Sequence, residues 1–185
     1  MAKKETILAL DVAMKNLGWC VFVGDEIVDC GTVQVKLKQE KRKNRAGKMV
    51  PVKSPKYVQL EESARQLGNG FLFLVGRYSP DRVVAEMPLE GSKSVNAVQA
   101  MRMAAGVILG AAAGVGVELI TTRPRDGKTA LTGDVSAEKD AMMAAARSRW
   151  PLANWPKAKC RFEHAADAAA AYLAWTTSSS AICKK

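Results

Sequence analysis

Two short apolar runs in this chain each end in an acidic side chain. Asp11 follows the run 7–10, and Glu86 follows the run 83–85. Short runs of this kind, rich in Ile, Val and Leu, are typical of buried β-strands. Ligands of α/β sheets bind where strands emerge at their carboxyl ends. Both carboxylates are therefore predicted to lie at a functional edge of the sheet.

The opening of the chain has the pattern of a three-stranded antiparallel meander. Apolar and β-branched residues predict strands over 6–10, 18–23 and 26–35. The dipeptide Gly24-Asp25 lies between the second and third of these strands and is a tight-turn signal.

The remainder alternates between helix and strand patterns. Apolar residues recur at helical spacing over 57–77, and a helix crowded with small residues follows over 94–113. We predict four further elements: strands over 81–86 and 117–120, a helix with Ser136 as N-cap that ends at Arg149 before Pro151, and a last helix over 163–176. This order predicts one α/β domain over 1–185, a mixed five-stranded sheet with helices on both faces.

The charge of the chain favours a polyanionic partner. Its 28 Lys and Arg residues against 18 Asp and Glu residues give a net charge of +10. Such an excess suits nucleic acid or an anionic membrane surface. A membrane span is not expected, because the uncharged segment 103–117 is shorter than the ~20 residues that cross a bilayer. No signal peptide is expected either, so we predict a cytoplasmic protein with reduced cysteines.

The segment 36–56 concentrates the positive charge. It has almost no apolar periodicity and a single acid, Glu40. Self-repulsion predicts an extended loop or arm that meets phosphates, the alternative being a solvated surface loop. Nine cations lie in this segment: Lys36, Lys38, Lys41, Arg42, Lys43, Arg45, Lys48, Lys53 and Lys56.

A third carboxylate and the single histidine complete a candidate metal site. His164 and Asp167 are one helical turn apart and share a helix face. Phosphodiester cleavage is favoured by two divalent cations roughly 4 Å apart, and Mg²⁺ prefers carboxylate oxygens. Asp11, Glu86, Asp167 and His164 are thus predicted to bind metal. Taken singly, Asp11 could instead be a turn former, and His164 a surface or core residue.

These residues resemble those of a known family. The chain is similar to the RuvC-type Holliday-junction resolvases of the RNase H-like superfamily, some of which carry a histidine at the position of His164. The resemblance covers most of the chain in order and lies in five places: the run 7–11 followed by Gly18-Trp19, Val84-Ala85-Glu86, Lys128, Ser136-Ala137-Glu138-Lys139, and Ala165-Ala166-Asp167-Ala168.

The resemblance implies an RNase H-like fold and a Mg²⁺-dependent endonuclease, with Mn²⁺ able to substitute, that resolves four-way DNA junctions by paired symmetric nicks. It implies a two-fold homodimer in a bacterial or phage-infected cell. The small residues of the helix over 94–113, which allow close approach, make that helix the expected interface. The implied catalytic residues are three metal-binding carboxylates, a histidine that binds or orients water, and two lysines that offset charge on the scissile phosphate: Asp11, Glu86, Asp167, His164, Lys128 and Lys139.

Three departures from the family leave the substrate open. The basic segment 36–56 is longer than the usual connection, the turn over 12–16 adds Lys15, and Leu89 stands where members often place an aromatic wedge. The residues 91–93 remain available as a DNA-contacting loop. The alternatives are a structure-tolerant nuclease for forks, flaps or RNA maturation, and a non-catalytic nucleic-acid-binding protein.

Overall fold

The computed structural model describes residues 4–37, 41–45, 47–51, 54–87 and 94–182. The main sheet has five strands in the order β3-β2-β1-β6-β7, and a separate two-stranded sheet pairs β4 with β5. The strands in chain order are β1 (Thr6–Val12), β2 (Asn16–Val23), β3 (Glu26–Gln34), β4 (Lys41–Lys43), β5 (Met49–Pro51), β6 (Arg82–Glu86) and β7 (Glu118–Thr122).

The main sheet is mixed. β1, β2 and β3 form the predicted antiparallel meander, and β6 and β7 continue the sheet parallel to β1. Within the described ranges, five helices cover it: α1 (Lys56–Tyr78), α2 (Val95–Val115), α3 (Pro124–Thr132), α4 (Lys139–Arg149) and α5 (Lys159–Ile182). The predicted α/β class, with a mixed five-stranded sheet and helices on both faces, is confirmed.

The two faces of the sheet pack against different helices. Alternate side chains of β1 point to opposite faces, so Leu8 and Leu10 contact the α1 and α2 side. Ile7 and Ala9 contact the α5 side instead. Asp11 follows Ile7 and Ala9 at the same two-residue spacing, so its side chain lies on the face that α5 covers.

The sequence analysis missed one helix and predicted the start of another wrongly. The helix α3 was not predicted, although Pro124 at its first turn and Gly133 at its C-cap, with φ of 78°, are ordinary boundary signals. Ser136 is not an N-cap, because its backbone N–H and its hydroxyl both donate to Asp134 Oδ1. Glu138 occupies the N-cap position of α4.

The basic segment is more ordered than predicted. β4 and β5 form a hairpin, closed where the backbone N–H of Asn44 donates to the carbonyl of Lys48 at 2.9 Å. The strands form from charged residues because backbone pairing needs no apolar alternation. Lys38, Glu40 and Lys53 of this segment lie outside the described residues, as do Leu89 and the predicted loop over 91–93.

The helix α2 extends beyond the start of the uncharged segment 103–117, on whose shortness the argument against a membrane span rested. By length and average composition its 21 residues are sufficient to cross a bilayer, and it is the one helix of the described chain that meets this test. One face of α2, which includes Ala104, Ile108 and Ala112, packs in the same core as α1 and the sheet. Most of the remaining surface of the helix is uncovered.

Candidate metal and nucleic-acid site

The two predicted strand-end carboxylates are neighbours in the sheet. Asp11 of β1 and Glu86 of β6 are paired in register on hydrogen-bonded parallel strands. Paired residues of adjacent strands point to the same face, so both side chains lie under α5. Burial first, and then the negative charges of Asp11 and Asp167, raise the pKa of Glu86 well above its usual value.

The helix α5 brings the other two predicted ligands to this edge. His164 Nδ1 lies 2.6 Å from Asp11 Oδ2, and this hydrogen bond is the main cause of a raised pKa of His164. Burial, followed by the charge of Asp11, raises the pKa of Asp167 to about 7. The four predicted metal-binding residues are thus in one place.

The two predicted lysines reach the same cluster. The positive charge of Lys128, on α3, lowers the pKa values of Glu86 and Asp167 against their burial. Lys139, at the start of α4, forms an ion pair with Glu163 at 2.7 Å, and this contact is the main cause of its raised pKa. Sequence reasoning missed Glu163, although its position one turn before Asp167 places it on the same helix face.

The donor set suits a hard divalent cation in its chemistry. Three carboxylates with little access to water repel one another, and Mg²⁺ prefers carboxylate oxygens. Within the described ranges, no three His, Cys, Asp or Glu side chains are already arranged as ligands around one point. Asp11 is hydrogen-bonded to His164 instead. The cluster therefore has the composition of a metal site without being closed around an ion.

A glycine allows α5 to come this close to the sheet. Gly18 of β2 is paired with Asp11, and a Cβ added to it would lie 2.1 Å from the carbonyl oxygen of His164. Cys20, on the same strand, donates its thiol hydrogen to the carbonyl of Ala165 at 3.1 Å. Gly127, which precedes Lys128 in the chain, lies on the other side of α5. A Cβ added to Gly127 would lie 3.3 Å from the side chain of Ala170. Sequence reasoning identified Gly18 only as part of a hairpin and missed Gly127.

Comparison with known proteins defines the class of fold. No family model and no curated protein sequence matches the chain. Among solved structures, RuvC of Thermus thermophilus in complex with Holliday junction substrate matches with a TM-score of 0.69 and 20% identity, over 95% of this chain and 94% of that one. A second structure of Thermus thermophilus RuvC has a TM-score of 0.61 and 20% identity, over 91% of each chain.

A more distant resolvase has the same fold. The yeast mitochondrial Holliday junction resolvase matches with a TM-score of 0.58 and 11% identity, over 95% of this chain and 80% of that one. The chain therefore has the RNase H-like α/β fold of the RuvC-type resolvases. This confirms the predicted fold and the predicted resemblance at the level of fold.

Gly18→Ala should disrupt the site through the backbone. The added Cβ meets a main-chain carbonyl, so α5 must move, and we expect a loss of about 1–3 kcal/mol in the free energy of unfolding. The pKa of His164 should fall towards its usual value as the contact with Asp11 weakens. His164 is the only histidine of the chain, so its NMR titration needs no assignment.

The matched control for this change is Gly76→Ala in α1, where an added Cβ meets nothing within 4 Å. That variant should be stabilised by about 0.5–1 kcal/mol, with the His164 titration unchanged. A Gly18→Ala protein with wild-type stability and a wild-type His164 pKa would show that the close approach does not position the site.

Asp167→Asn should stabilise the metal-free protein above neutral pH. The carboxyl has an ordinary pKa of 3.8 and a folded-state pKa of about 7. Between these values the folded state holds a proton that the unfolded state has released, so this group lowers stability as the pH rises. We expect a gain on the order of 1–2 kcal/mol at pH 8 that disappears near pH 4, measured by urea unfolding in EDTA.

Asp140→Asn is the control, because Asp140 is an exposed acid paired with Lys159 on the surface. It should show no such gain at pH 8. An Asp167→Asn protein whose stability follows that of the wild type at every pH would contradict the proposed repulsion within the cluster.

Proposed function

We propose that this protein is a divalent-metal-dependent endonuclease that cuts branched DNA, with the four-way junction as its substrate. The observation that carries this proposal is the convergence of Asp11, Glu86 and Asp167 on one buried edge of the sheet. The fold supports it, because one solved structure that shares the fold is a RuvC bound to Holliday junction substrate.

Each residue of the cluster has a proposed role. Asp11, Glu86 and Asp167 would hold Mg²⁺ or Mn²⁺. Bound divalent cations make an attacking water more acidic and neutralise charge on the leaving oxygen. When His164 Nδ1 donates its hydrogen to Asp11 Oδ2, the Nε2 atom remains free to accept a proton from that water.

The lysines would act on the substrate phosphate. Lys128 lies close enough to the cluster to oppose the charges of Glu86 and Asp167. Lys139 is held by Glu163, which fixes its ammonium group beside Asp167 and Asp11. Both cations would stabilise negative charge that develops on the scissile phosphate.

Paired nicks in a four-way junction require two active sites, and α2 is the proposed dimer interface. The outer face of α2 carries Gly106, Gly110 and Gly114, where an added Cβ meets nothing within 4 Å. Leu109 on the same face is 46% exposed, and Phe73 on the neighbouring α1 is 62% exposed. Small residues let two helices approach closely, and the exposed apolar side chains would be buried by a two-fold partner.

Removing either strand-end carboxylate should separate cleavage from binding. Asp11→Asn and Glu86→Gln each remove one carboxyl group from the cluster but leave the basic surface intact. We expect cleavage of a labelled mobile four-way junction to fall by at least about 100-fold in Mg²⁺. Junction affinity in EDTA should stay within about threefold of wild type, since phosphate contacts dominate it.

The same assay distinguishes the alternatives when junction, fork, flap and duplex are compared side by side. Efficient cleavage of the flap or fork by the wild type would favour a structure-tolerant nuclease. If the protein nicks none of these substrates in Mg²⁺ or Mn²⁺, the result would favour a non-catalytic binding protein. Near wild-type cleavage by either variant at saturating Mg²⁺ would show that the site is elsewhere.

The exposed cations of the β4–β5 hairpin should contribute phosphate contacts. Neutralising Lys41, Arg42, Lys43 and Arg45 together removes up to four such contacts. Because each contributes about 0.9 to the slope of log affinity against log salt, the slope should become shallower by as much as ~3.6. The loss should be similar for junction and duplex, since phosphate contacts do not read structure. An unchanged slope on both substrates would make the hairpin a solvated surface element.

A further inference from the structure

A cavity of about 450 Å³ lies at the same edge of the sheet as the acidic cluster, on the opposite face. It is lined by the turn that follows β1, by Leu37, by the first two turns of α1 and by the first two turns of α2. Met14 in that turn belongs to the core on the α1 and α2 side, whereas Asp11 faces α5. The cavity is therefore distinct from the proposed catalytic site but close to it along the chain.

The walls of the cavity combine three kinds of chemistry. Apolar surface comes from Met14, Leu37, Leu60 and Met101, and no acidic side chain lies among its described lining residues. Amide groups come from Gln59, Asn96 and Gln99, and positive charge comes from Lys15 and Lys56.

This combination matches one nucleotide better than water or a purely apolar ligand. A nucleobase has two apolar faces and a polar edge, and sulfur atoms such as those of Met14 and Met101 pack well against aromatic rings. Amides of Asn and Gln can hydrogen-bond a base edge, and lysines bind the flanking phosphates. The volume lies in the range of about 300–1,000 Å³ that is usual for small-molecule sites.

The walls of the cavity are held in place before any ligand binds. The Gln66 side chain accepts from the backbone N–H of Lys36 at 2.9 Å and donates to its carbonyl at 3.0 Å. The backbone N–H of Val35 donates to the carbonyl of Lys15 at 2.9 Å. Gln59 donates through Nε2 to the carbonyl of Ser54 at 2.6 Å, so its Oε1 can still accept. A preformed pocket loses less entropy when it binds.

We propose that this cavity receives a single unpaired nucleotide, displaced from the duplex at the branch point. The inference rests on the proposed function, because it names the part of branched DNA that the protein recognises. Lys15 and Lys56 bind the phosphates on either side of the nucleotide, and the two methionines hold the base. Recognition of the branch then needs no aromatic side chain inserted into the base stack.

The test compares binding of two labelled duplexes in EDTA, where nothing is cleaved. One is fully paired, and the other carries a single-nucleotide bulge with 2-aminopurine as the unpaired base. The wild type should prefer the bulged duplex about tenfold, which corresponds to the lower end of reported stacking contributions. The 2-aminopurine fluorescence should change on binding as the base leaves water.

Two kinds of variant isolate the cavity. The double variant Ala97→Leu with Ala100→Leu fills it from α2 and should abolish the preference while affinity for the paired duplex is unchanged. Ala141→Leu, on the exposed face of α4, is the control for adding leucine to a helix. The variants Lys15→Gln and Lys56→Gln leave the volume of the cavity open. Each should weaken binding of the bulged duplex more than the control Lys4→Gln does. Lys4 is an exposed charge next to Gly24, at the other end of the sheet.

The outcomes separate the two proposals. A wild type that binds both duplexes equally, or a filled variant that keeps the preference, overturns the nucleotide site and leaves the nuclease proposal standing. A wild type that binds neither duplex nor junction overturns both. If the filled variant does not fold, the lysine variants decide alone: a loss no greater than that of Lys4→Gln overturns the site.

Discussion

The close contact between α5 and the sheet is the constraint on which the rest of the molecule depends. Alanines on several sides of the helix are buried, towards the sheet at Ala165 and Ala168 and towards α4 at Ala166. A helix that is apolar on nearly all sides is a buried helix, and side chains this small let it lie near the strands. With Gly18 opposite His164, this approach carries the histidine and Asp167 to the strand-end acids.

That approach has an electrostatic consequence. Burial and mutual repulsion disfavour the charged forms of Glu86 and Asp167, and Lys128 offsets only part of the effect. His164 lies against Asp11, and Lys139 is bound to Glu163 beside the cluster, yet the pKa values of Glu86 and Asp167 stay raised. Arrangements that lower stability, such as buried acids that repel one another, are expected at functional sites. A divalent cation would relieve the repulsion, which is why we propose that the cluster binds metal.

The sequence determined the sheet and its acidic edge because these depend on local patterns. Apolar runs that end in Asp11 and Glu86 defined strands whose register brings the two acids together. The helix α3 was missed because it is short and mostly polar, although its proline and glycine boundaries could have been recognised. The pairing of Lys139 with Glu163 and the close approach at Gly18 could not be predicted, because both arise from residues far apart in the chain. The β4–β5 hairpin lacks apolar alternation, so its pattern resembled that of a loop.

The most direct test of the central claim is anomalous diffraction from crystals grown or soaked in Mn²⁺. Our account predicts anomalous density in contact with the carboxylates of Asp11, Glu86 and Asp167, and its loss in crystals of Asp11→Asn. Density confined to other acids of the surface, or none at Mn²⁺ concentrations that saturate nuclease activity, would contradict the assignment of this cluster as the metal site.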